Sequence, residues 1–133
     1  MTVTKFRVLF VVAALWNAIG AASGYFQTAD TFYNFFQREL SDPLFYAIYK
    51  GAWGTTLVYI AGYLIVAKDP LRHTGIVIVG GLGKVGFAIT LLNLYFAGLA
   101  SSIVWVVIVG DVAFSILFLA YLITLYRNNV KLV

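Results

Sequence analysis

Residues 75–96 read GIVIVGGLGKVGFAITLLNLYF, with a single charge, Lys84, in the whole stretch. Two readings compete for it. Gly81-Leu82-Gly83-Lys84-Val85-Gly86 matches the G-x-G-x-x-G pattern of dinucleotide-binding folds, and Ile76 to Val79 ahead of it resembles a strand. That pattern works when a helix amino terminus points at a pyrophosphate and an acidic side chain about 20 positions on holds the ribose. No acidic residue stands there; the next is Asp111. A P-loop fits less well, because its first glycine falls at Ile78 and Val85 replaces the required Ser or Thr. The stretch does match a transmembrane helix, which needs roughly 20 apolar residues to cross a hydrocarbon core of about 30 Å. Its glycines then serve packing, since small side chains let helix backbones approach where water supplies no hydrophobic force.

Working outward, the rest of the chain repeats this character. Of 133 residues, 62% are hydrophobic and 11% charged. A soluble domain carries roughly 25% charged residues, so the composition points to a bilayer. Lys5 and Arg7 precede an apolar run from Val8 to about Gly24. With Ala18, Gly20 and Ala22 this run also imitates a signal peptide; it is read here as a retained first span. Next comes a segment mixing Tyr25, Phe26, Phe32, Tyr33, Phe35 and Phe36 with Asp30, Asn34, Arg38 and Glu39. Aromatic and polar residues in such a mixture favour the headgroup region. A short interfacial helix is expected there, with Asp30 as its N-cap. Asp42-Pro43 is a start signal for the second span, and Asp69-Pro70 repeats it for the third. An uncharged link from Ala97 to Ser102 makes the third and fourth spans antiparallel neighbours.

The expected fold is therefore all-α: a four-transmembrane-helix up-down bundle in one membrane domain, 1–133. Its spans are placed at about 6–25, 43–67, 70–96 and 101–126, with the interfacial helix between the first and second. Basic residues mark the N-terminus, the second turn (Lys68, Arg72) and the C-terminus (Arg127, Lys131), whereas the first connection is acidic on balance. The positive-inside rule puts both termini in the cytoplasm. The formal net charge of +4 thus sets topology and does not describe a nucleic-acid surface.

Polar residues inside spans carry the functional information, because an intramembrane charge costs at least ~2.5–3.5 kcal/mol on insertion scales. They are Asn17, Lys50, Lys84, Asn93 and Asp111. Depth follows from a rise of about 1.5 Å per residue, which puts Asn17 at about 15 Å, Lys84 at about 18 Å, Asp111 at about 24 Å and Lys50 at about 27 Å from the basic ends. Asn17 is level with Lys84, and Asp111 lies between the two lysines. Helical spacing groups Ala13, Asn17 and Ala21; Ala47, Lys50 and Gly54; Gly80, Lys84 and Ala88; and Asp111, Ser115 and Phe118. A buried polar network of Asn17, Lys50, Lys84, Asp111 and Ser115 is the candidate site. Gly20, Gly24, Gly51, Gly54, Gly80 and Gly83 are the candidate helix-packing positions. An ion pair that only sets helix register is the competing account of the charges. Trp16, Trp53 and Trp105 read as packing or interfacial anchors, and His73 as a solvated turn residue.

The chain resembles small bacterial four-span inner-membrane proteins of unknown function. The residues that carry the resemblance are Trp16-Asn17, Lys68-Asp69-Pro70 with Arg72, Gly80 through Lys84, and Gly110-Asp111 followed by Phe114 and Leu117-Phe118. It implies a bacterial inner membrane and no particular activity; Lys50 lies outside it.

There are no cysteines and one histidine, so neither thiol chemistry nor a Cys/His metal site is expected. No catalytic residue, metal or cofactor is assigned. Two functional classes fit. One is a non-enzymatic homo-oligomeric or accessory subunit, packed on another membrane protein through glycine-rich faces. The alternative is a binder or transporter of a small anionic or amphiphilic molecule at Lys84, Asp111 and Asn17, with Lys50 as a spare cation.

Overall fold

The computed structural model describes residues 3–132, and among them the chain is helical throughout its regular structure. Five helices follow in order: α1 (Val3–Phe26), α2 (Thr28–Phe36), α3 (Pro43–Lys68), α4 (Thr74–Phe96) and α5 (Val104–Arg127). Three of them, α1, α4 and α5, are long and apolar enough to cross a membrane. Their large apolar side chains point outward in numbers no water-soluble surface tolerates. Ile19 is 71% exposed and Leu82 69%. Such faces are stable against lipid and aggregate in water.

Helix ends follow local chemistry, with some departures from expectation. At Asp42 the start signal works: its Oδ1 accepts from the amides of Leu44 (2.8 Å) and Phe45 (3.1 Å), and Pro43 takes the first helical position. Asp69-Pro70 does not start a helix. Asp69 instead closes α3, its amide donating to the Ile65 carbonyl, and α4 begins four residues after Pro70, at Thr74. The segment instead forms a turn in which the Arg72 amide donates to the Asp69 carbonyl, and buried Pro70 offers its carbonyl to the Tyr121 hydroxyl. The fourth long helix likewise starts at Val104, later than expected. Asp30 is not the cap of α2; Gln27 holds that position, and Asp30 lies in the first turn. Asp42→Ala is accordingly expected to lower stability by about 0.5–2 kcal/mol, and Asp69→Ala by less than about 0.5 kcal/mol. Parallel unfolding curves in one detergent would check the difference.

Helix α4 stops because Gly98 takes φ +73. The Leu99 amide reaches back to the Leu94 carbonyl and the Gly98 amide to that of Tyr95, which is the Schellman pattern. That reversal lays α5 back along α4. Its partner pair is α1 with α3, and α2 rests on both of these. The molecule is thus two helix pairs, α1/α3 and α4/α5, that meet along a seam with far less backbone contact than within either pair.

Two apolar clusters fill the seam. One, near the termini, holds Phe10, Tyr63, Val77, Phe118, Tyr121 and Leu125, with Leu132 packed against it. The other, near α2, holds Ala21, Phe35, Trp53, Leu91, Val104 and Ile108. Between them, on each of α1, α4 and α5, lies one polar residue.

Candidate functional site

On α1 the buried face runs Phe10, Ala13, Asn17, Ala21; on α4 it runs Val77, Gly80, Lys84, Ala88, Leu91; on α5 it runs Ile108, Asp111, Phe118. Steps of three and four keep each set on one side of its helix. The three polar residues therefore meet in the seam. Lys84 Nζ lies 2.9 Å from Asp111 Oδ1 and donates to Asn17 Oδ1 at 2.8 Å. Asp111 Oδ1 also accepts from the indole Nε1 of Trp16 at 3.1 Å. Both lysine and aspartate side chains are 7% exposed. The ammonium faces the rings of Phe114 (5.3 Å) and Tyr63 (5.9 Å) as well, a favourable arrangement for a cation shielded from water.

The network joins the two helix pairs. Lys84 and Asp111 belong to α4/α5, while Asn17 and Trp16 belong to α1 and reach across. Charge-assisted hydrogen bonds are the strong ones, and here two of the three side-chain bonds cross a seam that backbone packing leaves thin.

Glycines make room for it. A Cβ at Gly110 would stand inside the Trp16 indole, so Trp16 reaches Asp111 only because its neighbour has no side chain. Likewise Trp53 lies on Gly24, and the Tyr63 hydroxyl would be 2.6 Å from a Cβ at Gly80. Gly54 meets Tyr25 at 3.3 Å. The other proposed packing positions behave differently. Gly20 has only Trp53 at 4.0 Å, and Gly51 and Gly83 have nothing within 4 Å, so the last two do not serve packing within the chain. Gly110, the tightest approach of all, was not among the candidate packing positions; the side chain that needs its space, Trp16, lies on another helix.

Two of the five network candidates do not join the ion pair. Lys50 is half-buried, with its ammonium 4.8 Å above the Tyr25 ring. Its long stem carries the charge away from α4 and α5, so depth alone was a poor guide. Ser115 donates to the backbone carbonyl of Asp111 at 2.7 Å, the ordinary fate of serine inside a helix. Asn93 is exposed. Trp16 is the participant that sequence reasoning missed; its position directly before Asn17 was the available signal.

The polar network does not close the interior. Lys84, Asp111, Asn17 and Trp16 line a cavity of about 650 Å³, and every helix contributes to its wall. Phe35, Trp53, Tyr59, Tyr63 and Phe87 add rings to that of Trp16, and Thr31, Thr55 and Thr56 scattered hydroxyls. The volume lies within the range of about 300–1,000 Å³ of sites that hold small molecules. Comparison with family models, with curated proteins and with solved structures finds no match to this chain, so the site's own chemistry carries the functional argument.

Proposed function

We propose that this chain is a four-span protein of a bacterial inner membrane that binds a small amphiphilic molecule in the central cavity. The spans are α1, α3, α4 and α5. Support for α3 is its 26 residues, about 39 Å of helix, and its outward apolar face, with Val58 70% exposed. Helix α2 fits a position along the interface, since it buries Thr28, Thr31 and Phe35 and leaves Asp30, Tyr33 and Asn34 outside. Both termini are cytoplasmic, by the placement of Lys5, Arg7, Lys68, Arg72, Arg127 and Lys131.

One observation carries the binding reading. A pair that serves only helix register has no need of an adjoining cavity, yet Lys84, Asp111 and Asn17 all line one. The reading is of binding and not of catalysis, because Lys84 and Asp111 are held by each other. An interaction subunit is the second reading. What favours it is the open space over Gly51, Gly75 and Gly86, three places where another helix can approach.

Native mass spectrometry of the protein released gently from its own membranes tests this. The expected result is a small molecule retained at fixed stoichiometry and lost in Gly83→Phe, which fills the cavity from a position with free space. A ligand-free dimer, or a complex with another subunit, would replace the first reading with the second. The absence of cysteine makes single-cysteine labelling a clean check of topology: Thr4→Cys and Lys131→Cys should react from the cytoplasm, Arg38→Cys and Ala97→Cys from the opposite side.

A further inference from the structure

Resting on the reading of the cavity as a binding site, we propose that its occupant is an electroneutral lipid with a hydroxyl head, entering sideways from the bilayer. Three observations converge on this class.

The first is charge. Among the described residues, Lys84 and Asp111 are the only ones on the cavity wall of the Asp, Glu, Lys, Arg or His types, and they pair at 2.9 Å. The pair is neutral overall wherever the proton sits, on nitrogen or on oxygen. Lys50, which would have made the site cationic, stands apart over Tyr25. An anionic head would leave the site with one negative charge in excess, and a cationic head with one positive charge in excess. Each leaves a buried uncompensated charge.

The second is unused hydrogen-bonding capacity. An ammonium has three donors, and Lys84 uses two, on Asn17 and Asp111. Among the described residues Asp111 Oδ2 and Asn17 Nδ2 have no hydrogen-bond partner. Neither atom is shut away, because the unpaired side-chain atoms without accessible surface are Tyr49 Oη and Trp53 Nε1 alone. The site thus offers both an acceptor and donors that the chain itself leaves unused. A hydroxyl both donates and accepts, so it is the head group that can use either.

The third is the route. On the side of the termini the cavity ends against Tyr63, whose ring packs on Phe118 at 5.4 Å and on Phe10 at 6.4 Å. Along the seam it reaches the surface. Ile19 and Val106 flank it between α1 and α5, 71% and 63% exposed, and Thr55, Gly83 and Phe87 are its exposed wall between α3 and α4. In a membrane these openings face acyl chains, so a ligand dissolved in the bilayer enters without crossing water.

The protein carries its own reporter. Trp16 and Trp53 line the cavity and Trp105 does not, so in a Trp105→Phe background both remaining indoles report from the site. Four brominated chains of equal length are titrated into the protein reconstituted in phosphatidylcholine vesicles: an alcohol, a carboxylate, an amine and a plain alkane. The expected result is saturable quenching by the alcohol, at least about tenfold tighter than by the other three, and abolished in Gly83→Phe. A carboxylate, amine or alkane that binds as well as the alcohol overturns the assigned ligand class and leaves the cavity a binding site. Quenching by all four that neither saturates nor responds to Gly83→Phe removes the binding reading itself.

Discussion

Asp111→Ala is expected to destabilise the protein by about 3–5 kcal/mol, because it leaves a buried ammonium without its counter-charge. Whole domains are stable by only about 5–15 kcal/mol, so the variant should unfold at a visibly lower temperature in any one detergent. The loss has two parts. Lys84 keeps only its bond to Asn17, and the Trp16 indole loses its acceptor. Asp111→Asn keeps the shape and one acceptor oxygen, so its loss should be smaller while still large. The double variant Lys84→Met with Asp111→Leu removes both charges together and should recover the part due to the stranded ammonium, since apolar replacement of a buried pair is often neutral or favourable, while Asn17 and the Trp16 indole stay without their partners. Thermal unfolding of the four proteins side by side decides the matter. An Asp111→Ala protein that melts with the unaltered chain would mean that the pair contributes nothing to holding α4/α5 on α1. Added salt should change little in any of them, because the pair is shielded from mobile ions.

The second large effect is expected at a residue with no side chain. Gly110→Ala puts a methyl group where the Trp16 indole lies. The ring has to move, and its hydrogen bond to Asp111 goes with it. Overpacking costs typically about 1–3 kcal/mol, and a lost bond to a charged acceptor about 1.5–3 kcal/mol. A total of about 2–4 kcal/mol is expected, since relaxation of the ring lessens the first term. Gly83→Ala is the matched control: nothing lies within 4 Å of its Cβ, and alanine favours the helix by about 0.5–1 kcal/mol. The two substitutions are chemically identical, so opposite signs in one unfolding assay would trace the effect to the indole. Equal behaviour would mean that Trp16 is free to repack and does not hold Asp111 in place.

Both effects arise in the seam, and the seam matters for the proposed function. Tight packing within α1/α3 and within α4/α5 leaves the two pairs joined by side chains, chiefly the network and the rings around it. A cavity at such a junction can widen by a small separation of the pairs without unfolding either one. Substitutions that weaken the network are therefore expected to change ligand retention as well as stability, whereas Gly83→Phe should change retention alone.

Sequence by itself was enough for the class of fold. The long apolar runs, broken by Asp42-Pro43, by the polar turn at 68–73 and by the uncharged link after Phe96, leave an all-helical chain as the one arrangement that satisfies its own backbone in lipid. Helical spacing and depth, which follow from a rise and a pitch that do not depend on context, gathered Asn17, Lys84 and Asp111 together with Lys50 and Ser115 into one candidate set. What lay outside that reach was decided by side-chain direction and by contacts between distant segments. Pro70 opens no helix, and its carbonyl is bound by the hydroxyl of Tyr121, 51 residues away. Lys50 leaves the network because a flexible stem can carry its charge to Tyr25 instead of inward. Trp16 joins the network because Gly110 on another helix makes room for its ring. The cavity, too, exists only once five helices have set the distances between their walls. Periodicity is a property of one helix, and these are properties of pairs of helices, which no single stretch of sequence contains.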